Sequence, residues 1–196
     1  SVVYDGTHSD KRSDLITYQS YNEFSRGINS IPSSDANYTD NYKHIRRTNL
    51  LLQNAEAYAK PEDIKQYLGE AYFFRAYSYF DLLQLYGDVI ITKKPLDITD
   101  PEMKVKRNDR SEVVDLIIDD LNHAVENLPA FKELTTEEEG RISKEGAQAF
   151  LSRVALYEGT WQKSRNGNQN TQRSANLLDI AAKAARTVID AKYGYT

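Results

Sequence analysis

The chain has 196 residues, of which 40% are apolar and 28% charged, with a net charge of −4 and no cysteine. That length suits one hydrophobic core or a stack of small repeats, and the charge leaves no basic excess for nucleic acid. Without cysteine there are no disulfides, thiolate metal sites or cysteine nucleophiles. The apolar runs fall well short of the roughly 18 residues that cross a bilayer. Ser1-Val2-Val3-Tyr4 has none of the regions of a signal peptide, so no membrane or export signal is expected in this chain.

Residues 1–35 are rich in Ser, Asp, Asn and Gly, interrupted by Leu15-Ile16 and Phe24. They read as an irregular N-terminal segment with a helical turn near 14–27, and residues 36–196 as one helical scaffold. Ser33-Ser34-Asp35 offers an N-cap, and Tyr38, Tyr42, Ile45, Asn49 and Leu52 recur at helical spacing, which predicts a helix over 36–59. Pro61 suits the first position of the next helix, and Glu62 and Asp63 put negative charge at the positive end of its dipole. The turn between the two is so short that they must form an antiparallel hairpin.

From Ala71 to Tyr86 the strongly polar side chains are Arg75, Ser78, Asp81 and Gln84, three apart, so they drift around the cylinder and no single wet face forms. This helix must be covered on more than one side. Gly87 is placed to close it in the left-handed conformation, and Asp88-Val89-Ile90-Ile91 leaves as an extended, β-branched run.

KKPLDITDPEMKVKRND (93–109) reads as a surface loop. Ser111 is the expected N-cap of the third helix, whose stripe of Val114, Ile117, Ile118, Leu121, Ala124, Val125 and Leu128 is closed by Pro129. Residues 131–140, with Glu137-Glu138-Glu139, read as a solvated connection. Ser143 is expected to cap a fourth helix with Ala147, Phe150, Leu151, Val154 and Tyr157 inward and Gly159 as its stop. After a loop at 164–174, a fifth helix carries Leu177, Leu178, Ala181, Ala184, Ala185, Val188 and Ile189. The end at Tyr193-Gly194-Tyr195-Thr196 leaves half a hairpin, so the scaffold reads as cut at its C-terminus.

Ala71, Arg75 and Tyr79 recur as Ala149, Arg153 and Tyr157 at one constant offset, each trio on one helix face at i, i+4, i+8. Repeated pairs of helices with small and aromatic faces stack as tetratricopeptide-type solenoids, because no pair buries both faces alone. The fold class predicted is therefore all-α, TPR-like hairpins with long irregular loops; a plain helical bundle is the alternative. Arg75 and Arg153, with Tyr79 and Tyr157, are assigned structural roles. Each buried guanidinium needs a carboxylate or carbonyls from a neighbouring helix, with Asp119 or Asp120 the candidates for one of them. Fourteen tyrosines against one tryptophan suit helix packing and ligand stacking equally. Trp161, read as lying in a polar loop, either folds back over the fourth helix or serves as a ligand platform.

Catalytic signals are missing. His8, His44 and His123 have no second ligand at helical spacing, no glycine-rich phosphate cradle occurs, and no serine sits in Gly-x-Ser-x-Gly. Asp5, Asp10 and Asp14 miss the spacing of a calcium loop. Asp119-Asp120 and Glu137-Glu138-Glu139 are adjacent residues that point in different directions, not an acid and base pair. No metal, cofactor or enzymatic activity is expected.

The run LGEAYFFRAYSYFDLLQLYGDVIITKKPL resembles the signature of the SusD/RagB family, Glu-Ala-x-Phe-x-Arg-Ala-x-x-Tyr-Phe-x-Leu-x-x-x-Tyr-Gly-x-Val-Pro, with Ile90 where Pro is commonest. NYKHIRRTNLLLQNA, RSEVVDLIIDDLNHAVENLP, GRISKEGAQAFLSRVALYEG and LLDIAAKAARTVIDAKYGY are similar to the family's other helices, in the same order. The resemblance implies a TPR-like scaffold without catalysis, anchored in the outer membrane of Bacteroidetes-type bacteria through a lipidated N-terminal cysteine that this sequence lacks. It implies capture of glycans, or of oligopeptides, at the cell surface for a SusC-like TonB-dependent transporter. The family's stacking aromatics with a hydrogen-bonding Asn or Gln fall in the segment before the first long helix, here LITYQSYNEF. That points to Tyr18, Gln19, Tyr21 and Asn22 as glycan contacts, with Trp161 a lesser candidate. A TPR scaffold binding a protein segment in a concave groove is the alternative; a groove lined by basic or asparagine residues would favour it.

Overall fold

The computed structural model describes residues 27–28, 30–165 and 171–191. The chain divides into two units, Ser1–Asp35 and Ala36–Thr196, and the helices below belong to the second. The helical turn expected near Asp14, like Tyr18, Gln19, Tyr21 and Asn22, lies outside the described residues.

The elements are α1 (Ala36–Glu56), a 3-10 turn (Pro61–Ile64), α2 (Lys65–Tyr86), α3 (Arg110–Asn127), α4 (Lys144–Arg165) and α5 (Thr171–Asp190). Each helix packs on the next, giving the all-α stack of hairpins that the repeat pattern predicts. Among the described residues no strand forms; a lone antiparallel bridge joins Val89 to Asn108.

Helix α2 is the centre of the stack. Ala71, Phe73, Ala76, Tyr79, Phe80, Leu82 and Leu83 are buried around its circumference. Ile45 of α1, Ile117 and Leu121 of α3 and Val154 of α4 join them in one core. A fully buried side chain of this size stabilises by about 1.5–3 kcal/mol. Pro61 opens a 3-10 turn and not an α-helix, and the α pattern takes over at Lys65. Gly87 has φ 72° and ψ −105°, and its N–H donates to the Leu83 carbonyl at 3.0 Å. Its φ is positive, as expected of a closing glycine, but ψ lies outside the left-handed helical basin.

Three boundaries differ from expectation. Helix α3 is capped by Asp109, not Ser111: the Asp109 N–H donates to Glu112 Oε2 at 3.1 Å, and the Arg110 N–H to Asp88 Oδ1 at 2.9 Å. Asp88 thus recruits Arg110 into the first turn. Gly159 does not stop α4, which continues to Arg165. A Cβ at Gly159 would meet Leu178 Cδ2 at 3.0 Å, and Ser174 Oγ donates to the Gly159 carbonyl at 2.8 Å, so this glycine lets α5 pack closely on α4. Residues 164–165 and 171–174, expected in a loop, are helical.

The matched trios also diverge. Arg75 is buried as predicted: Nε and Nη2 donate to Asp120 Oδ2 and Oδ1 at 2.8 and 2.6 Å, and Nη1 to Asn49 Oδ1 at 2.9 Å. Tyr79 is fully buried, and Tyr157 is half-buried with its ring edge-on to Phe80 at 5.4 Å. Arg153, however, is exposed, because α4 turns Ala147, Leu151, Val154, Ala155 and Glu158 toward its neighbours and leaves the Ala149 and Arg153 side outward.

Candidate functional site

The segment after Gly87 is extended but joins no sheet, so its backbone groups need side-chain partners. They find them on the helices. Tyr42 donates its hydroxyl to the Ile90 carbonyl at 2.7 Å, and the Ile91 N–H donates to Asn108 Oδ1 at 2.9 Å. The Thr92 N–H donates to the Tyr79 hydroxyl at 2.8 Å, while Asn49 Nδ2 donates to the Thr92 and Lys94 carbonyls at 2.9 and 3.3 Å. Arg46 Nη1 donates to the Leu96 carbonyl at 2.6 Å, and Lys94 Nζ pairs with Glu102 Oε1 at 2.7 Å.

This stitching holds the segment against α1, with a cleft of about 310 Å³ left between them. Its walls are Tyr38, Tyr42, Ile90, Leu96 and Met103, and its polar edge is Arg46, Lys94 and Glu102. Tyr38 and Tyr42 stand one helical turn apart with ring centroids at 4.8 Å, and Tyr86 meets Tyr38 edge-on at 5.2 Å. Burial, with help from Tyr38, pushes the Tyr42 phenol far above its ordinary value, so it stays protonated and serves as a hydrogen-bond donor. The hydrogen bond that Lys94 donates to Glu102 holds its ammonium above its usual value and keeps it charged.

Aromatic walls with a few placed polar groups make a site for a small organic ligand with hydroxyl groups. Among the described residues Glu102 is the carboxylate that lines the cleft, and it is tied to Lys94. Among the described residues no group of three or more His, Asp or Glu side chains is placed to hold a metal.

Of the predicted ligand contacts, Trp161 sits on the last turns of α4 and does not line the cleft. The Arg110 guanidinium lies 4.1 Å from its ring centroid, and 5.8 Å from that of Tyr157, so the indole packs against a cation. The other four lie outside the described residues. The sequence reading places Tyr38 and Tyr42 at helical spacing and does not count them among the ligand contacts. The signal that marks them is a pair of tyrosines at i, i+4 beside a proline-flanked loop that returns across the same helix.

A model of the SusD-like family, described as starch-binding associating with outer membrane, matches residues 4–156. SusD-like protein P38 of Formosa agariphila is 34% identical over 133 residues, covering 66% of this chain and 25% of that protein. A SusD-like protein of Bacteroides fragilis superposes with a TM-score of 0.73 at 27% identity, over 90% of this chain and 31% of the other. A laminarin binding SusD-like protein superposes with a TM-score of 0.63 at 28% identity, over 81% of this chain and 32% of the other. The chain therefore spans about a quarter of the length of the curated relatives it matches.

Proposed function

We propose, from the premise that this chain belongs to the SusD-like family, that it is the helical scaffold of a non-catalytic protein that captures glycans at the outer membrane. The observation that carries the reading is the Tyr38–Tyr42 cleft, where aromatic walls meet an edge of Arg46, Lys94 and Glu102. A sugar ring stacks its C–H face on a tyrosine and spends its hydroxyls on the edge, which is binding by shape and hydrogen bonding without turnover. The laminarin binding relative supports glycan as the ligand class. In this reading the complete protein is a surface lipoprotein that hands its ligand to a SusC-like TonB-dependent transporter.

Affinity electrophoresis tests it. The protein is run through gels containing laminarin, starch or xyloglucan, beside a Tyr38→Ala variant and a Tyr18→Ala, Tyr21→Ala variant that probes the N-terminal residues the resemblance points to. At least one glycan retards the parent, and Tyr38→Ala abolishes that retardation. A parent that runs unretarded in every gel, or a Tyr38→Ala variant retarded as much as the parent, overturns the assignment of the cleft.

A further inference from the structure

A second groove, of about 590 Å³, runs between α3 and α5, the first helices of consecutive hairpins, and shares no lining residue with the tyrosine cleft. Its floor is apolar, formed by Ile118, Leu177 and Ile180, and its rim carries Asn122, Asn176 and Asp119. Among the described residues no aromatic ring lines it, so they give no platform on which sugars stack. Grooves between stacked helix pairs present the extended concave surfaces on which solenoids bind chain segments.

The rim chemistry narrows the occupant. Each carboxamide offers both a donor and an acceptor, the pairing that an extended backbone needs. The Asp115 and Asp119 side chains are each 63% exposed; Asp115 is engaged with Arg173 at 2.8 Å, while Asp119 has His123 Nε2 at 3.8 Å. With Asp115 paired to Arg173, the negative charge left on the lining is that of Asp119. At the groove wall, Arg173 Nη2 is spent on the Ser111 carbonyl and Asp115, and its buried Nε–H has no acceptor. A peptide carbonyl laid along that wall would satisfy it.

We propose that this groove holds an extended peptide segment of alternating apolar and basic residues. Successive side chains of such a segment point to opposite sides. The apolar ones rest on Ile118, Leu177 and Ile180, the backbone is bracketed by Asn122 and Asn176, and the basic ones pass the rim beside Asp119.

Fluorescence anisotropy with a labelled octapeptide alternating Val and Lys, titrated with the whole 196-residue chain, tests this, with a Val and Glu octapeptide as control. The Lys peptide binds saturably and more weakly as salt rises. Asp119→Lys, or Asn122→Ala with Asn176→Ala, weakens it roughly tenfold or more, while Tyr38→Ala leaves it unchanged. All three groove positions are exposed, so unaltered melting of these variants separates lost binding from lost folding. Absence of saturable binding, equal binding of the Glu peptide, an unchanged affinity in Asp119→Lys, or competition by laminarin overturns the proposal.

Discussion

Helix α2 buries Arg75 beneath α3, whereas α4 leaves Arg153 exposed and buries Glu158 instead. Both helices thus carry one covered charge, of opposite sign, and each is answered from α3. Asp120 sits in the middle of α3 and takes both of its bonds from Arg75; burial pushes its carboxyl up, and the guanidinium works against that push. Arg110, the first residue of α3, reaches Glu158 with Nε at 2.8 Å. Gln162 Nε2 donates to the other carboxylate oxygen at 2.6 Å. Both pairs are buried, and the difference is one of surroundings: Arg75 also meets Asn49, while Arg110 also meets the Leu83 carbonyl at 3.3 Å and two aromatic rings. One covered charge pair thus joins α3 to each of its neighbours, and what surrounds the pair sets what its loss costs.

Removing half of the Arg75 and Asp120 pair carries the largest effect. Arg75→Met leaves Asp120 charged and buried and costs about 3–5 kcal/mol in chemical denaturation. Adding Asp120→Leu to it recovers most of that loss, since a buried pair replaced by apolar side chains is often neutral. A single variant within 1 kcal/mol of the parent would dissolve the contrast with α4. Glu158→Ala comes next, at about 2–3 kcal/mol, because the Arg110 guanidinium keeps a carbonyl and two ring faces when the carboxylate is gone. Equal losses for Arg75→Met and Glu158→Ala would show that the carbonyl and rings around Arg110 are not what separates the pairs.

The first of these pairs was legible in the sequence and the second was not, for a physical reason. Arg75 lies amid Ala71, Tyr79 and other apolar side chains on a helix with no wet face, so its burial follows from its neighbours, and the need for a partner narrows the choice to Asp119 or Asp120 for one of the two arginines. Glu158 stands beside Gly159, which read as a helix stop; the glycine serves instead to admit Leu178 of α5, a contact between helices that local pattern does not reveal. Its partner Arg110 read as the end of a loop, because the pull of Asp88 on its N–H comes from a residue across the loop. The hairpin of α1 and α2 and the apolar stripe of α3 were readable because spacing alone sets them. The tyrosine cleft was only half readable: the helical spacing of Tyr38 and Tyr42 was plain, but the return of residues 90–96 across them depends on hydrogen bonds from Asn49, Tyr79 and Arg46.

The tyrosines of the two trios give a smaller version of the same contrast. The buried Tyr79 hydroxyl accepts the Thr92 N–H and donates to the Thr92 carbonyl at 3.2 Å, so Tyr79→Phe strands both groups and costs about 1–2 kcal/mol. Tyr157 contributes chiefly its ring, so Tyr157→Phe stays within about 0.5 kcal/mol. Thermal melting of the two variants side by side decides it, and a larger loss at Tyr157 would reverse the ranking.

The smallest effect belongs to Arg153, and its sign is fixed by Asp81 of α2. Burial raises the Asp81 carboxyl from its ordinary value, and Arg153 pulls it down. A carboxyl whose folded value is raised favours the folded state below its unfolded value, near pH 4, and loses that contribution as pH climbs through the folded value. Arg153→Ala removes the downward pull, so the Asp81 folded value moves further up and the penalty at higher pH grows. The variant should therefore match the parent below about pH 4 and fall behind it above, by no more than about 0.5 kcal/mol at pH 7 for an exposed position. Urea denaturation from pH 3 to 8, with the Asp81 carboxyl followed by NMR titration, reads both quantities. A gap that opens toward acid pH, or an Asp81 value that falls in the variant, would mean that Arg153 does not act on Asp81 and that the exposed face of α4 contributes nothing to holding α2.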